Sequence, residues 1–246
     1  MHIFIVGISG KMGRTVCDSA LRFGDTVSGG IDLVKSAQYP TFATARDVNV
    51  PVDVIIDFSR PETLAEVIDL STRLSCPCVL AATGYDDEQT EQIRKLSERV
   101  PVFRSANMSL GVNVLSLLVE KAASVLRDFD IEIVEKHHNQ KQDAPSGTAI
   151  QLYEAAAKGR NATPDRVYGR VGKCPRHDGE IGIHAVRGGT IVGEHDVLFC
   201  GNDEVVTLSH TALSRKIFAD GALKAAHFLQ GKPAALYTMR DMLNVE

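Results

Sequence analysis

From the start of the chain to Asn107, short apolar runs alternate with helical ones, and this alternation restricts the fold more than any other feature. HIFIVG, TVSGGID, VDVIIDFS, CVLAATG and PVFRSAN read as strands, while KMGRTVCDSALRFG and DEQTEQIRKLSERV read as helices. Such alternation builds a parallel, doubly wound sheet. Ser59 and Glu62 stand at capping-box spacing around Pro61, which places a helix start just after VDVIIDFS.

From Leu110 the pattern changes. GVNVLSLLVEKAASVL reads as a long amphipathic helix, DIEIVEKHH as a strand, and AIQLYEAAAK as a helix opened by SGT, followed by a loop rich in Gly, Arg and Pro. Residues 180 to 213 give three strand-like runs, EIGIHAVRGG, TIVGEHDVLFCG and EVVTLSHTAL, which suit a mixed or antiparallel sheet. A last helix, IFADGALKAAHFLQG, precedes a short tail and is expected to return to the first domain. The chain of 246 residues shows no internal repeats or long linkers, so two modest domains share it.

GISGKMG sits between the first strand and the first helix. Gly7 ends the strand, and Gly10 and Gly13 lie at the turn and the helix start, where glycine lets backbone approach a pyrophosphate that the helix N-terminus stabilises. The spacing is GxxGxxG rather than GxGxxG. Asp32, at the end of the second strand, stands where a ribose hydroxyl needs an acceptor, which strengthens the dinucleotide reading over that of a plain turn.

Residues 135 to 149, EKHHNQKQDAPSGTA, gather His137, His138, Lys141 and a helix-opening SGT on a strand-to-helix loop. Each has an ordinary explanation alone: a strand-end histidine, a solvated lysine, a helix cap. Together they make an anion-binding acid/base kit, with Ser146 as N-cap and Gly147 and Thr148 offering backbone N–H groups to a carboxylate.

Bulk properties narrow the classes. A net charge of −4 and a pI near 6.1 leave no electrostatic footprint for nucleic acid or an anionic membrane surface. MHIFIVGISG is expected to be a buried first strand rather than a signal peptide, and no run approaches the roughly 18 apolar residues of a membrane span. Five scattered cysteines, 17, 76, 78, 174 and 200, fit reduced thiols in a cytoplasmic protein. The CPC at 76–78 lacks zinc or redox spacing, and no metal site is expected.

The chain resembles the dihydrodipicolinate (4-hydroxy-tetrahydrodipicolinate) reductases of lysine and diaminopimelate synthesis. The resemblance runs nearly end to end, through VGISGKMG, DFSRPE, ATGY, SANMSLGVNVL, HHNQKQDAPSGTA, VRGGTIVGEH, SHTALSRKIFADGAL and ALYTMRDML. It implies an α/β fold: a Rossmann-type doubly wound parallel sheet domain from residues 1–108 and 217–246, and a smaller α+β domain with a mixed sheet from residues 109–216. The latter would bind substrate and assemble a homotetramer through its sheet. The implied reaction reduces 4-hydroxy-tetrahydrodipicolinate, a small dicarboxylate, with loss of water, using NADH or NADPH.

Carried over by motif, the resemblance puts the acid/base on His137 and a second proton donor on Lys141, with His138, Ser146, Gly147 and Thr148 at the substrate. It places Gly7, Ser9, Gly10, Lys11 and Met12 in the phosphate turn and Asp32 at the adenosine ribose. Ala81, Ala82 and Thr83 fall beside the nicotinamide, and Ser105, Ala106, Asn107 and Met108 in a hinge touching the cofactor. Ser59 and Arg60 are further candidate cofactor contacts. Ala81 and Ala82 stand where many relatives carry Gly and Thr, so no hydroxyl contact follows at position 82. Leu33 occupies a position where NADPH-using relatives often carry Arg, so Asp32 implies an NADH preference, with Lys35, Lys11 or Arg14 leaving NADPH usable.

Three other classes share parts of this pattern. Another nicotinamide-dependent reductase of a small acid would keep the glycine turn without HHNQK beside SGT, and an NAD-binding sensor could dispense with His137 and Lys141. A metal hydrolase using His137 and His138 fits poorly, because adjacent strand residues point to opposite faces.

Overall fold

The protein is described by a computed structural model over residues 1–244, so the last two residues of the 217–246 segment lie outside the described residues. By its internal contacts the chain divides into two compact units, one comprising Met1–Leu110 with the segment from Arg215 onward, the other Gly111–Ser214.

The first unit is built on a seven-stranded sheet. Its strands are β1 (His2–Val6), β2 (Thr26–Ile31), β3 (Thr41–Phe42), β4 (Val54–Asp57), β5 (Cys78–Leu80), β6 (Val102–Arg104) and β12 (Leu236–Tyr237). They lie in the order β12-β6-β5-β4-β1-β2-β3, and every pairing is parallel. The helices are α1 (Lys11–Arg22), α2 (Leu64–Leu74), α3 (Asp87–Ser97), α6 (Lys216–Phe228) and the short α7 (Met239–Leu243).

The unbroken apolar run of β1 follows from this layering. Ile3 and Ile5 pack on one face with Val16 and Ala20 of α1 and Ala222 and Leu223 of α6. Phe4 and Val6 pack on the other with Val67 and Leu70 of α2 and Ile93 of α3. A strand covered on both faces has no solvent side on which to place polar residues. The chain runs outward from β1 through β2 to β3, and from β4 through β5 and β6 on the other side. The order therefore reverses between β1 and β4, where open α/β sheets leave a crevice at the strand C-terminal ends.

The second unit carries α4 (Leu110–Val125), whose first residue belongs to the other unit, and α5 (Gly147–Arg160), with strands β7 (Asp130–His137), β8 (Asp165–Tyr168), β9 (Glu180–Arg187), β10 (Gly193–Cys200) and β11 (Val205–Ala212). The sheet order is β11-β10-β7-β9-β8, with β10 antiparallel to both neighbours and β9 parallel to β7 and β8. Along β7, Ile131 and Ile133 face a core with Leu115 and Val119 of α4 and Leu152 and Ala156 of α5. The alternate residues Glu132, Val134 and Lys136 occupy the opposite face, beside Asp196 and Leu198 of β10.

Three local expectations are corrected. The Ser59 capping box does not form: a 3-10 turn, Pro61–Thr63, precedes α2, and the Ser59 hydroxyl instead engages the Asp57 carboxylate and the Thr63 hydroxyl. The hydroxyl donates to the fully buried Asp57 carboxyl, and that bond turns the Ser59 side chain away from the helix amides it would otherwise accept from. The Gly/Arg/Pro-rich loop contains the edge strand β8, and the tail supplies β12 and α7 rather than trailing off.

Candidate active site

In the first unit the glycine turn follows β1 directly. Gly7 adopts a φ of +84° and its N–H donates to Ile31 O at 2.8 Å, tying the turn to the end of β2. A Cβ at Gly13 would lie 2.1 Å from Gly7 O, so only glycine lets α1 begin this close to the strand. Gly10 caps α1 with no side-chain acceptor, which leaves its first-turn N–H groups for an external anion. Asp32 accepts the Ser9 N–H at 2.9 Å and the Val34 N–H at 3.0 Å, one on each oxygen, and each oxygen retains a lone pair. Ser9 also donates its hydroxyl to Val34 O at 2.6 Å. These residues fit a dinucleotide, with phosphate at the turn and a ribose at Asp32.

Beside this turn lies a cavity of about 420 Å³ lined by Ser9, Arg14, Lys35, Ser36 and Tyr39 among others. Leu33 is 98% exposed, so it contributes no fixed wall. A larger groove of about 750 Å³ between α2 and α3 is lined by none of the candidate residues, so volume does not mark the site.

The ends of the middle strands complete the crevice edge. Ala81 N–H donates to Asp57 O at 2.9 Å and Ser105 N–H to Leu80 O at 3.2 Å. Ala82 is buried, Ala81 half-buried and Thr83 exposed. Ser105 Oγ donates to Asn107 O at 2.7 Å, Asn107 Oδ1 accepts the Ser109 N–H at 3.0 Å, Ala106 is exposed and Met108 is buried in the core. Lys11 is exposed and Met12 half-buried. Burial pushes the Asp57 carboxyl up, against hydrogen bonds from Ser59 and from the Tyr85 hydroxyl.

In the second unit His137 closes β7. Its Nδ1 lies 2.6 Å from Glu135 Oε2, two residues earlier on the same strand face. Glu135 is fully buried and also accepts both terminal nitrogens of Arg187, each at 2.7 Å, and the Ser146 N–H at 3.0 Å. Burial opposes its charge, yet Arg187, His137 and the Ser146 amide together hold the carboxyl below the usual carboxylate range. Burial also lowers His137, partly offset by Glu135 and reinforced by the positive charges of Lys141 and Arg187. Both groups of the pair are thus displaced downward. Arg187 is the largest hydrogen-bonding influence that keeps Glu135 ionised, and burial favours the neutral form of His137. Its Nε2 faces Gly193, where a Cβ would stand 3.0 Å away.

Lys141 Nζ bonds both oxygens of Asp143, at 2.7 and 2.9 Å, on the loop that Arg187 also holds through Asp143 O at 2.8 Å. Gly147 and Thr148 open α5; Gly147 is exposed, with open space where a Cβ would be, and Thr148 and His138 are half-buried. Ser146, expected at the substrate, is 3% exposed and works inside the protein. Its Oγ accepts the Ala149 N–H at 3.1 Å and pairs with His195 Nε2 at 2.9 Å. Burial, reinforced by His137, pushes His195 down to about 4, and its ring meets that of His137 edge-on with centroids 5.1 Å apart.

Sequence reasoning missed Glu135, Arg187, Gly193 and His195. Glu135 was available from strand periodicity, lying two residues before His137. The others become visible only through strand pairing: Arg187 lies opposite His137, and His195 opposite Glu135.

The dihydrodipicolinate reductase N-terminal model matches residues 1–108, and the dihydrodipicolinate reductase C-terminal model matches residues 111–243. A 4-hydroxy-tetrahydrodipicolinate reductase of Clostridium tetani is 45% identical over 248 residues, covering 99% of this chain and 97% of its own. One from Caldanaerobacter subterraneus subsp. tengcongensis is 47% identical over 246 residues, covering 99% and 98%. Among solved structures, dipicolinate-bound dihydrodipicolinate reductase from Paenisporosarcina sp. TG-14 superposes with a TM-score of 0.81 at 24% identity, over 100% of this chain and 99% of that one. A probable dehydrogenase from Thermotoga maritima gives 0.60 at 11% identity, over 98% and 92%. At these identities the two structures speak to the fold alone.

Proposed function

The chain belongs to the dihydrodipicolinate reductase family, and from that premise we propose that it reduces 4-hydroxy-tetrahydrodipicolinate, with loss of water, to tetrahydrodipicolinate on the route to diaminopimelate and lysine. It is a nicotinamide-dependent oxidoreductase. The observation that carries the chemistry is His137 at the end of β7, paired with buried Glu135, followed by Lys141 on the loop that leads to the N-terminus of α5, where Gly147 is exposed.

The residues divide the work as follows. Nicotinamide, when bound, supplies the hydride. The turn Gly7, Ser9, Gly10, Lys11, Met12 holds phosphate and Asp32 the ribose, with Ala81–Thr83 and Ser105–Met108 along the same crevice edge. Substrate carboxylates meet Gly147, Thr148 and His138, while Ser146 supports them by capping α5. Lys141 holds a carboxylate in this structure, that of Asp143, and a substrate carboxylate displaces or shares that partner. The dianion's field raises the proton affinity of His137, which is neutral at rest, so binding itself loads the proton that follows hydride addition. Oxidation of NADH and NADPH, followed with freshly generated hydroxytetrahydrodipicolinate, tests this; absence of turnover with both nucleotides refutes it.

NADH is the preferred nucleotide and NADPH remains usable. Asp32 repels a ribose phosphate and Leu33 supplies no cation, whereas Arg14 and Lys35 line the neighbouring cavity. The enzyme works in the cytoplasm, where its free cysteines stay reduced. It is a homotetramer assembled through the face of the second sheet opposite α4 and α5, which carries Val134 and Leu198. Among the described residues no helix is long and apolar enough to cross a membrane.

A further inference from the structure

The residues that touch His137 include a carboxylate, Glu135, two positions earlier on the same strand. Glu135 is fully buried, and four nitrogens close on it: both terminal nitrogens of Arg187 and the Ser146 amide, which donate to it, and His137 Nδ1 at 2.6 Å. Oε1 takes Ser146 and one arm of Arg187; Oε2 takes His137 and the other arm. A carboxylate so occupied has no further acceptor duty and no route to substrate. Its partners fix which way it faces, and its Oε2 dictates where the His137 proton sits.

We propose that Glu135, clamped by Arg187 and the Ser146 amide, is the positioning residue that fixes His137 as the Nδ1–H tautomer and thereby makes Nε2, beside Gly193, the atom that exchanges the proton with substrate. This rests on the assignment of His137 as acid/base. Gly193 completes the device, because a Cβ there would press on Nε2 at 3.0 Å. Arg187 does more than hold: by sharing the carboxylate's charge it limits how strongly Glu135 favours the imidazolium. The charged and titratable groups bearing on His137 are Glu135 on its own strand, Lys141 on the following loop with its partner Asp143, Arg187 on β9, and neutral His195 on β10, itself next to His210 on β11.

Glu135→Gln is a sharp probe. With Oε1 still accepting from Ser146 and Arg187, the amide nitrogen replaces Oε2 and presents a donor to Nδ1. The neutral ring must then carry its proton on Nε2, the wrong end for accepting one. Loss of the negative charge also lowers the proton affinity of the ring. Arg187→Met acts in the opposite sense, leaving the full Glu135 charge beside His137 and raising that affinity.

The experiment is 15N NMR of the imidazole in the free enzyme, titrated with pH, together with steady-state kinetics. The expected results are an Nδ1–H signature in the wild type, an Nε2–H signature in Glu135→Gln, and His137 midpoints displaced by about one pH unit, downward in Glu135→Gln and upward in Arg187→Met. Turnover of Glu135→Gln should fall by about 100-fold or more, while its affinity for pyridine-2,6-dicarboxylate stays within a few-fold of the wild type. Arg187→Lys, which keeps the charge, serves if Arg187→Met fails to fold, and should leave the midpoint near that of the wild type. An Nε2–H wild-type ring, or an unchanged tautomer and midpoint in Glu135→Gln, overturns the inference. The NMR measurement needs no substrate, so it stands apart from the assay that tests the reductase reading.

Discussion

His137 and Lys141 are separable by what each substitution removes. His137→Gln deletes a transferable proton and should lower kcat by about 100- to 10,000-fold while leaving KM for substrate near its original value. Lys141→Ala also deletes a charge that already holds a carboxylate, so KM should rise as kcat falls. Near-normal turnover in the double variant would remove both from the chemistry. Nucleotide choice is likewise decided by single side chains: Leu33→Arg should move the ratio of kcat/KM toward NADPH, whereas a wild-type enzyme that clearly favours NADPH would assign the phosphate to Arg14 or Lys35. At this scale the chain was legible where chemistry-bearing residues are neighbours in sequence, as in the histidine loop and the glycine turn. It was illegible where the partner is brought by strand register. Arg187 stands far along the chain from Glu135, and nothing in VRGG distinguishes a clamp from a solvated arginine.

Among the elements, α5 is the one on which binding and stability can be told apart. Thr148→Val removes a hydroxyl from its first turn and keeps the amide, so pyridine-2,6-dicarboxylate should bind roughly 1.5 to 3 kcal/mol more weakly, measurable by calorimetry. Ser146→Ala should instead show in urea unfolding. It costs about 1 kcal/mol for the lost cap, and roughly 1 to 3 kcal/mol more because His195 Nε2 loses its buried partner. If Ser146→Ala weakened dicarboxylate binding without lowering stability, Ser146 would be a direct contact after all. The longer elements were readable because their apolar pattern is imposed by the layers that cover them: an unbroken run in β1, covered on both faces, and alternation in β7, covered on one. The short strands β4, β5 and β6 announce themselves by buried apolar runs, whereas TF in β3, DRVY in β8 and LY in β12 carry no such run, and these three gain their identity from the sheet edges they join. The misplaced capping box at Ser59 has a different cause: spacing specifies a local bond, and a buried carboxylate two residues away took the hydroxyl.

For the whole molecule, the proposed assembly makes a specific demand on the second sheet. Leu198 is half-buried on the face opposite α4 and α5, across from Glu132, whose carboxylate already holds Arg176 and His184, so the charge of Leu198→Arg stays in water and should be tolerated within one chain. A second copy packed against that face would have to bury the charge, and mass photometry should then report a smaller species than in the wild type. Unchanged mass would move the interface elsewhere. A separate consequence follows from the sheet that begins with β1 and ends with β12. The chain leaves the first unit near Leu110 and returns only at Arg215. Synthesis on the ribosome is vectorial, so the middle unit emerges with all of its strands in hand, whereas the unit started first must wait for the last. Until α6 appears, Ile3 and Ile5 lack Ala222 and Leu223 as cover. Ile3 and Ile5 thus emerge long before the residues that seal them from water, and in that interval the nascent chain depends most on holdase protection.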